Sequence, residues 1–287
     1  MALTIGTLVT RYSYEHDIVF RVKKITENTV LLHGEEVRLE ADANIDDLRP
    51  VSDRELNEIQ KTALEKEAYS FRLFRQDYQL MREKRLAEEK KSIPTNLKSF
   101  QMPVKVLHLD GDRLYLKKCI DIYRKLGLQV HGTYMDEKDM PLEIAGLIKK
   151  IHPEIIVITG HDAYLKAKGT KKDLQAYRHS KYFIDAVRAA RDVIPDLDQL
   201  VIFAGACQSH FEGLIRAGAN FASSPSRVNI HALDPVYVVA KIAYTPFMEK
   251  INVLDCLRNT LTGEEGLGGM ETKGFLRTGL PYLKADQ

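Results

Sequence analysis

Two short apolar runs that end in reactive side chains constrain this sequence more than any other feature. The run Ile155–Thr159 is followed by a glycine and His161, and residues 200–204 are followed by Gly-Ala and Cys207. Continuous β-branched runs of this length, flanked by helical patterns, are typical of buried parallel strands. Because ligands bind beyond the carboxyl ends of parallel strands, we expect both side chains on one rim. A thiol and an imidazole on that rim predict a cysteine nucleophile with its base.

Composition narrows the class of protein. The chain has 287 residues, 44% of them hydrophobic, which suffices for one substantial core and a smaller unit. A net charge of +2 predicts neither a nucleic-acid nor a membrane-surface partner. The apolar runs are too short to span a bilayer, and residues 1–20 lack a signal-peptide core. Cys119, Cys207 and Cys256 form no even framework, so we expect free thiols in a reducing, cytoplasmic compartment.

The patterning divides the chain into three parts. Residues 1–52 alternate with period two between turn residues, which predicts a small, Tudor-like β-barrel. Residues 53–100 predict a long linking helix, opened by a capping box at Ser52 and Glu55. Residues 101–287 alternate strands with helices, and this predicts an α/β domain with an open, mainly parallel sheet flanked by helices.

Two aspartates follow the first strand of that sheet. The segment Asp110-Gly111-Asp112 resembles the acidic start of receiver domains and haloacid-dehalogenase phosphatases, in which paired carboxylates hold Mg²⁺. A receiver needs its phosphoacceptor aspartate at the end of the third strand, where this chain has His161, and no later acidic pair matches the phosphatases. We therefore expect no metal and no cofactor. The two aspartates are expected to cap the following helix or to line a pocket.

The residues around Cys207 also allow a second hydrolase class. Residues 205–210 resemble the strand-to-helix elbow of class I glutamine amidotransferases, in which a helix N-terminus lowers the pKa of the thiol. The catalytic histidine of those enzymes follows the cysteine, and His231 with Asp234 has that order. Asp234 precedes Pro235, however, and this pair is typical of a helix start. On that interpretation His231 is a loop histidine bonded to backbone.

A third class fits the order of the two strand ends. In the clan of caspases, legumain, clostripain and gingipains, one hydrophobic strand precedes His-Gly and a later one precedes Ala-Cys. His161 and Ala206-Cys207 have the same order, and the resemblance implies a caspase-hemoglobinase-like sheet. The residue after His161 is Asp162, where the clan has a glycine whose amide helps to form the oxyanion hole. We expect Asp162, with Gly160 and Ala206, to lie next to that hole.

Longer stretches resemble one family. They cover residues 155–164, 199–212 and 215–236, and the resemblance extends over nearly the whole chain, from Ile5 to Gly269. These stretches resemble the YabG sporulation-specific cysteine peptidases of spore-forming Firmicutes. The resemblance implies a spore-coat-associated endopeptidase of the mother-cell cytoplasm that cleaves coat and cortex-associated proteins after basic residues, mainly arginine. It assigns the nucleophile to Cys207 and the base to His161. A non-enzymatic coat scaffold with a receiver-like α/β domain is the alternative.

Arginine specificity requires a carboxylate within bidentate reach of a guanidinium group. Asp110 and Asp112 follow the first strand on the same rim, and we expect the substrate-binding acid among them. Asp162 and Asp234 are further candidates.

Arginines within the chain itself predict self-processing. Arg82 and Arg85 lie toward the end of the linking helix, and exposed connectors between packed units are common sites of proteolysis. We therefore expect nicking after one of these two residues.

Overall fold

The computed structural model describes residues 3–92 and 100–280. Its N-terminal part is an antiparallel sheet in the order β4-β3-β2-β1-β5. The strands are β1 (Leu8–Arg11), β2 (Phe20–Ile25), β3 (Thr29–Gly34), β4 (Glu40–Asn44) and β5 (Leu48–Pro50). The Tudor-like barrel is not confirmed, because no strand pairing joins β4 to β5 in the described residues. Residues 35–39, between β3 and β4, contact the α/β part of the chain through bridges of Val37 with His231 and of Leu39 with Asp162.

The predicted long helix is confirmed as α1 (Asp53–Ser92). It begins at a capping box, in which the backbone amide and hydroxyl of Ser52 both donate to the Glu55 carboxylate, at 3.0 and 2.7 Å. Phe74 of α1 is buried, and its ring centroid lies 6.1 Å from that of Tyr237. The helix therefore packs on the α/β part of the chain.

The α/β architecture is confirmed as a six-stranded sheet in the order β13-β11-β10-β9-β7-β8, in which only β13 runs antiparallel to its neighbour. Two small two-stranded sheets, β12-β14 and β15-β6, complete it. The elements in chain order are β6 (Phe100–Met102), β7 (Lys105–Asp110), α2 (Arg113–Lys125), β8 (Gln129–Tyr134), α3 (Met140–Ile151), β9 (Ile155–Thr159), α4 (Ser180–Val193), β10 (Val201–Ala204), α5 (Phe211–Ala217), β11 (Phe221–Ser223), α6 (Asp234–Tyr244), β12 (Lys250–Ile251), α7 (Val253–Leu257), β13 (Leu267–Gly269), β14 (Thr272–Lys273) and β15 (Arg277–Gly279).

Both faces of the large sheet are buried, which explains its continuous apolar strands. Because side chains alternate along a strand, Ile156 and Ile158 join the buried cluster of α3 and α4. Ile155 and Val157 join a second cluster, which also contains side chains of α2, α6 and the N-terminal sheet. The N-terminal sheet thus shares a core with the α/β part. Within the described residues, the helices include none that is long and apolar enough to cross a membrane.

Candidate active site

His161 and Cys207 follow neighbouring strands. Strands β9 and β10 pair in parallel, with Ile158 opposite Ala204, so the loops after them leave from the same rim. Both side chains are buried, His161 with 1% of its surface exposed and Cys207 with none. No hydrogen bond between them appears among the described residues. The structure therefore places the two candidates on one rim, in separate hydrogen-bonding environments.

Cys207 lies in a tight turn rather than at the start of a helix. Gly205 has a φ of +107° and Gln208 a φ of +56°, so left-handed backbone is present on both sides of the cysteine. Helix α5 begins only at Phe211, and the elbow expected of an amidotransferase is not formed. Burial raises the pKa of the Cys207 thiol, while its sulphur accepts a hydrogen bond from the Ile230 amide at 3.2 Å. The thiol is therefore neutral in this state.

Polar groups surround the His161 imidazole on two sides. Its Nδ1 lies 3.7 Å from Oε1 of Glu137, and its Nε2 lies 3.5 Å from Oδ2 of Asp112. The His33 ring lies against the His161 ring, with 3.6 Å between centroids. Burial lowers the pKa of His161, and the two carboxylates oppose that effect. Burial therefore favours the neutral form of this imidazole.

Glu137 approaches His161 across two glycines. Its Oε1 accepts a hydrogen bond from the His161 amide at 2.8 Å. A Cβ at Gly160 would lie 2.4 Å from that oxygen, and one at Gly111 would lie 2.1 Å from it. Gly160, expected next to the oxyanion hole, therefore leaves room for the carboxylate that accepts from the His161 amide.

The Asp162 side chain joins the two loops that carry the candidate catalytic residues. Its Oδ2 accepts from the Ser209 hydroxyl at 2.9 Å, and that hydroxyl accepts from the Ala206 amide at 2.9 Å. Its Oδ1 accepts from the His179 amide at 2.8 Å. Burial raises the pKa of Asp162, and these donors oppose the rise. The network fixes the Asp162 loop against the turn around Cys207.

The amides of Asp162 and Cys207 converge on one peptide oxygen. The carbonyl oxygen of Arg38 accepts a hydrogen bond from the Cys207 amide at 3.1 Å and from the Asp162 amide at 3.3 Å. Two backbone amides aimed at a single carbonyl oxygen, next to a thiol, are the geometry of an oxyanion hole. Asp162, at the position where the sequence resemblance predicted a glycine, thus directs its amide at the same oxygen as the Cys207 amide.

Residues 36–40 lie in a groove between residues 230–232 and Asp162, and their backbone pairs with both sides. Residues 230–232 flank this segment on one side and Asp162 on the other, through isolated bridges of Val37 with His231 and of Leu39 with Asp162. Three further backbone hydrogen bonds hold it: Ala232 N to Glu36 O at 3.0 Å, Arg38 N to Ile230 O at 3.4 Å, and Glu40 N to Asp162 O at 3.3 Å.

The Arg38 side chain fills a closed pocket beneath the rim. Its guanidinium makes a bidentate pair with Asp110, with both N–O distances at 2.9 Å, and donates to the Ala232 carbonyl at 3.0 Å. It also lies 5.1 Å from the Tyr115 ring centroid. Neither Arg38 nor Asp110 is exposed to solvent. Burial alone would raise the pKa of Asp110. The charge of Arg38 outweighs that effect and lowers the pKa to about 2.

Asp112 and Asp234, two more of the candidate substrate-binding acids, have backbone partners. Asp112 caps α2, because its Oδ1 accepts from the amides of Leu114 and Tyr115 at 2.7 and 3.1 Å. Asp234 is buried, with its carboxylate accepting from the Leu261 amide at 2.6 Å, and burial raises its pKa to about 6. Among the four candidates, Asp110 is the acid that binds an arginine side chain in the described residues.

The His231 imidazole bonds to the backbone of its own loop, as predicted by the interpretation of His231 as a loop histidine. Its Nδ1 accepts from the Leu233 amide at 3.2 Å, and its Nε2 lies 3.9 Å from a Glu67 oxygen. Burial lowers its pKa to about 3.

Two groups of side chains have spacings that suit a metal ion. His33, Asp112 and His161 each offer a ligand atom within 4.8 Å of the others, as do His108, Asp110 and Cys119. The Arg38 guanidinium contacts Asp110 and Cys119 and fills the second group. The group of His33, Asp112 and His161 could hold a divalent cation, which would replace the present contacts among these three side chains.

Sequence reasoning missed three residues of this site. Glu137 follows β8 by three positions, so the same strand-end argument that selected His161 would have found it. His33 lies in β3 and Arg38 in the segment between β3 and β4, and their local sequence pattern carries no signal of a site.

Comparison with known proteins identifies the family. The family model described as YabG peptidase U57 matches residues 4–281. The sporulation-specific protease YabG of Bacillus subtilis strain 168 is 56% identical over 287 residues, which cover 98% of this chain and 99% of that protein. No solved structure matches the chain. This chain therefore belongs to the YabG peptidase family.

Proposed function

We propose that the protein is a cysteine endopeptidase with Cys207 as nucleophile and His161 as general base and acid. The observation that carries this proposal is the convergence of the Cys207 and Asp162 amides on one peptide carbonyl oxygen. An oxyanion hole stabilises the charge that develops when a thiolate attacks a carbonyl, and each donor typically contributes a factor of about 10²–10³ in kcat.

The protonation states suggest how the reaction begins. Burial keeps the Cys207 thiol neutral and lowers the pKa of His161, so a neutral pair precedes attack. As Sγ bonds to the scissile carbon, its proton passes to His161, and the oxygen charge is stabilised by the two amides. His161 then protonates the leaving amine, and water hydrolyses the thioester. The carboxylates of Glu137 and Asp112 stabilise the transient imidazolium.

We propose arginine as the residue before the scissile bond, with Asp110 as its partner. The bidentate pair between Asp110 and an arginine of this chain supports that choice. Lysine has no planar fork to match both carboxylate oxygens, and citrulline has no charge.

The biological setting is inferred from the relative. The Bacillus subtilis protein is named a sporulation-specific protease. We propose that this protein acts in the mother cell during sporulation on proteins of the spore coat and cortex.

Peptides with arginine, lysine or citrulline before the scissile bond test the chemistry. We expect Cys207→Ala and His161→Ala to abolish cleavage of the arginyl peptide, while Cys256→Ala and His131→Ala, a buried cysteine and an exposed histidine elsewhere, cleave like wild type. An inactive His231→Ala beside an active His161→Ala would favour the amidotransferase-like arrangement. Absence of cleavage by wild type would favour the scaffold.

A further inference from the structure

Residues 36–40 of this chain occupy the groove in the manner of a peptide substrate. Building on the proposed function, we propose that the Arg38–Leu39 bond is a self-cleavage site. Each molecule cleaves this bond within its own chain. The carbonyl in the oxyanion hole is that of Arg38 itself, so the bond positioned for attack is the one between Arg38 and Leu39.

The residues before the bond are held as a substrate strand would be. The backbone of Glu36 and Arg38 pairs with residues 230–232, and the Tyr115 hydroxyl donates to the Val37 carbonyl at 2.9 Å. The Arg38 guanidinium lies in the pocket proposed for the arginine of substrates. Backbone pairing fixes the register, and the buried ion pair determines which residue enters the pocket.

The residues after the bond are also held. The Glu40 amide donates to the Asp162 carbonyl at 3.3 Å. Its carboxylate lies 3.0 Å from His33 Nε2, 3.2 Å from Arg178 Nη1 and 3.4 Å from His179 Nε2. The bond thus lies between two anchored ends, and close positioning of the reacting groups favours an intramolecular reaction.

The proposed chemistry is one hydrolysis. The Cys207 sulphur bonds to the Arg38 carbonyl carbon while its proton passes to His161. The bond to the Leu39 nitrogen then breaks, and that nitrogen takes the proton to become a new amino terminus. Water hydrolyses the thioester, which restores the Cys207 thiol and leaves a carboxylate on Arg38.

The fold predicts what remains after the cut. Strands β3 and β4 stay paired over five residue positions, from Thr29 with Asn44 to His33 with Glu40, so the two fragments remain associated. The freed end at residues 35–38 can then withdraw and open the groove to other proteins. Self-cleavage would therefore activate the enzyme toward separate substrates.

This position differs from the one that the sequence predicts. Arg82 lies within α1, as does the backbone of Arg85, whose side chain is outside the described part. A helical backbone must unwind before it can pair as a strand in the groove. The backbone of Arg38 already pairs with the residues of the groove.

Incubation of the purified full-length protein, followed by intact-mass measurement and amino-terminal sequencing, tests the proposal. Wild type should convert to fragments 1–38 and 39–287, with a first-order rate that dilution does not change, and Cys207→Ala should stay whole. Arg38→Lys keeps the buried charge but loses the fork, so self-cleavage should slow by about 10-fold or more. Arg21→Lys is the matched control, because Arg21 pairs with Glu35 on the same sheet.

Three results would overturn the proposal while leaving the peptidase assignment intact. They are Cys207-dependent cleavage of the arginyl peptide with the Arg38–Leu39 bond whole, a rate that rises with protein concentration, and an Arg38→Lys protein that cuts itself as fast as wild type. Sequencing of the wild-type fragments needs no variant, so misfolding of Arg38→Lys cannot obscure the answer. If wild type cleaves neither itself nor the peptide, the peptidase proposal fails as well.

Discussion

The buried pair of Arg38 and Asp110 allows a quantitative prediction. In a Cys207→Ala background, which keeps the chain whole, Asp110→Asn leaves a guanidinium without its carboxylate in a pocket closed to solvent. Breaking such a pair by removing one partner typically costs about 3–5 kcal/mol. The Ala232 carbonyl still accepts one hydrogen bond from Arg38, and Tyr115 still faces its charge, so we expect about 3 kcal/mol.

Urea unfolding at neutral pH measures this loss, and a double-mutant cycle isolates the pair. Arg38→Met removes the charge that needs a partner. The double variant of Arg38→Met and Asp110→Asn should therefore be more stable than the sum of the single changes predicts, by about 2–3 kcal/mol. A loss below about 1 kcal/mol for Asp110→Asn would be typical of a solvated pair and would refute the closed pocket.

The same variants have a defined dependence on pH. The pKa of Asp110 is lowered from 3.8 to about 2 in the folded chain, so its contribution is complete above pH 3.8 and is lost as the pH falls through about 2. The difference in unfolding free energy between the Cys207→Ala parent and its Asp110→Asn derivative should therefore narrow over that interval. A constant difference would mean that the carboxylate of Asp110 does not interact with Arg38 as described.

Three further changes test the residues around the histidine. Glu137→Gln removes a charge that raises the pKa of His161, so the acidic limb of the kcat/KM profile should move to lower pH; a shift upward would contradict its role. Asp162→Asn weakens the hydrogen bonds that position the two loops, and kcat should fall by about 10²-fold with KM nearly unchanged. Gly160→Ala should displace Glu137 and lower activity. Gly146 of α3 is the control, because a Cβ there would have no atom within 4 Å. Gly146→Ala should therefore keep activity and add about 0.5–1 kcal/mol to the free energy of unfolding.

The sequence by itself determined the framework of the rim. Apolar runs bounded by glycine identify β9 and β10, and their adjacency in a parallel sheet follows from the alternation with helices. The sequence also predicts the helix start after Asp112, because a capping side chain bonds to amides only two or three residues later in the chain. These features depend on neighbouring residues and on the period of the pattern, so one sequence suffices to predict them.

Only the tertiary structure decided what fills the groove. Asp110 and Asp112 look alike in sequence, but Asp110 ends β7 on the face toward the N-terminal sheet, where Arg38 enters, while Asp112 turns back to cap α2. Arg38 and Asp110 are 72 positions apart, and Arg38 and Ala232 are 194 apart. No local periodicity encodes such a meeting. It follows from the packing of one sheet on another, where burial of a shared apolar cluster brings the loop between β3 and β4 over the thiol.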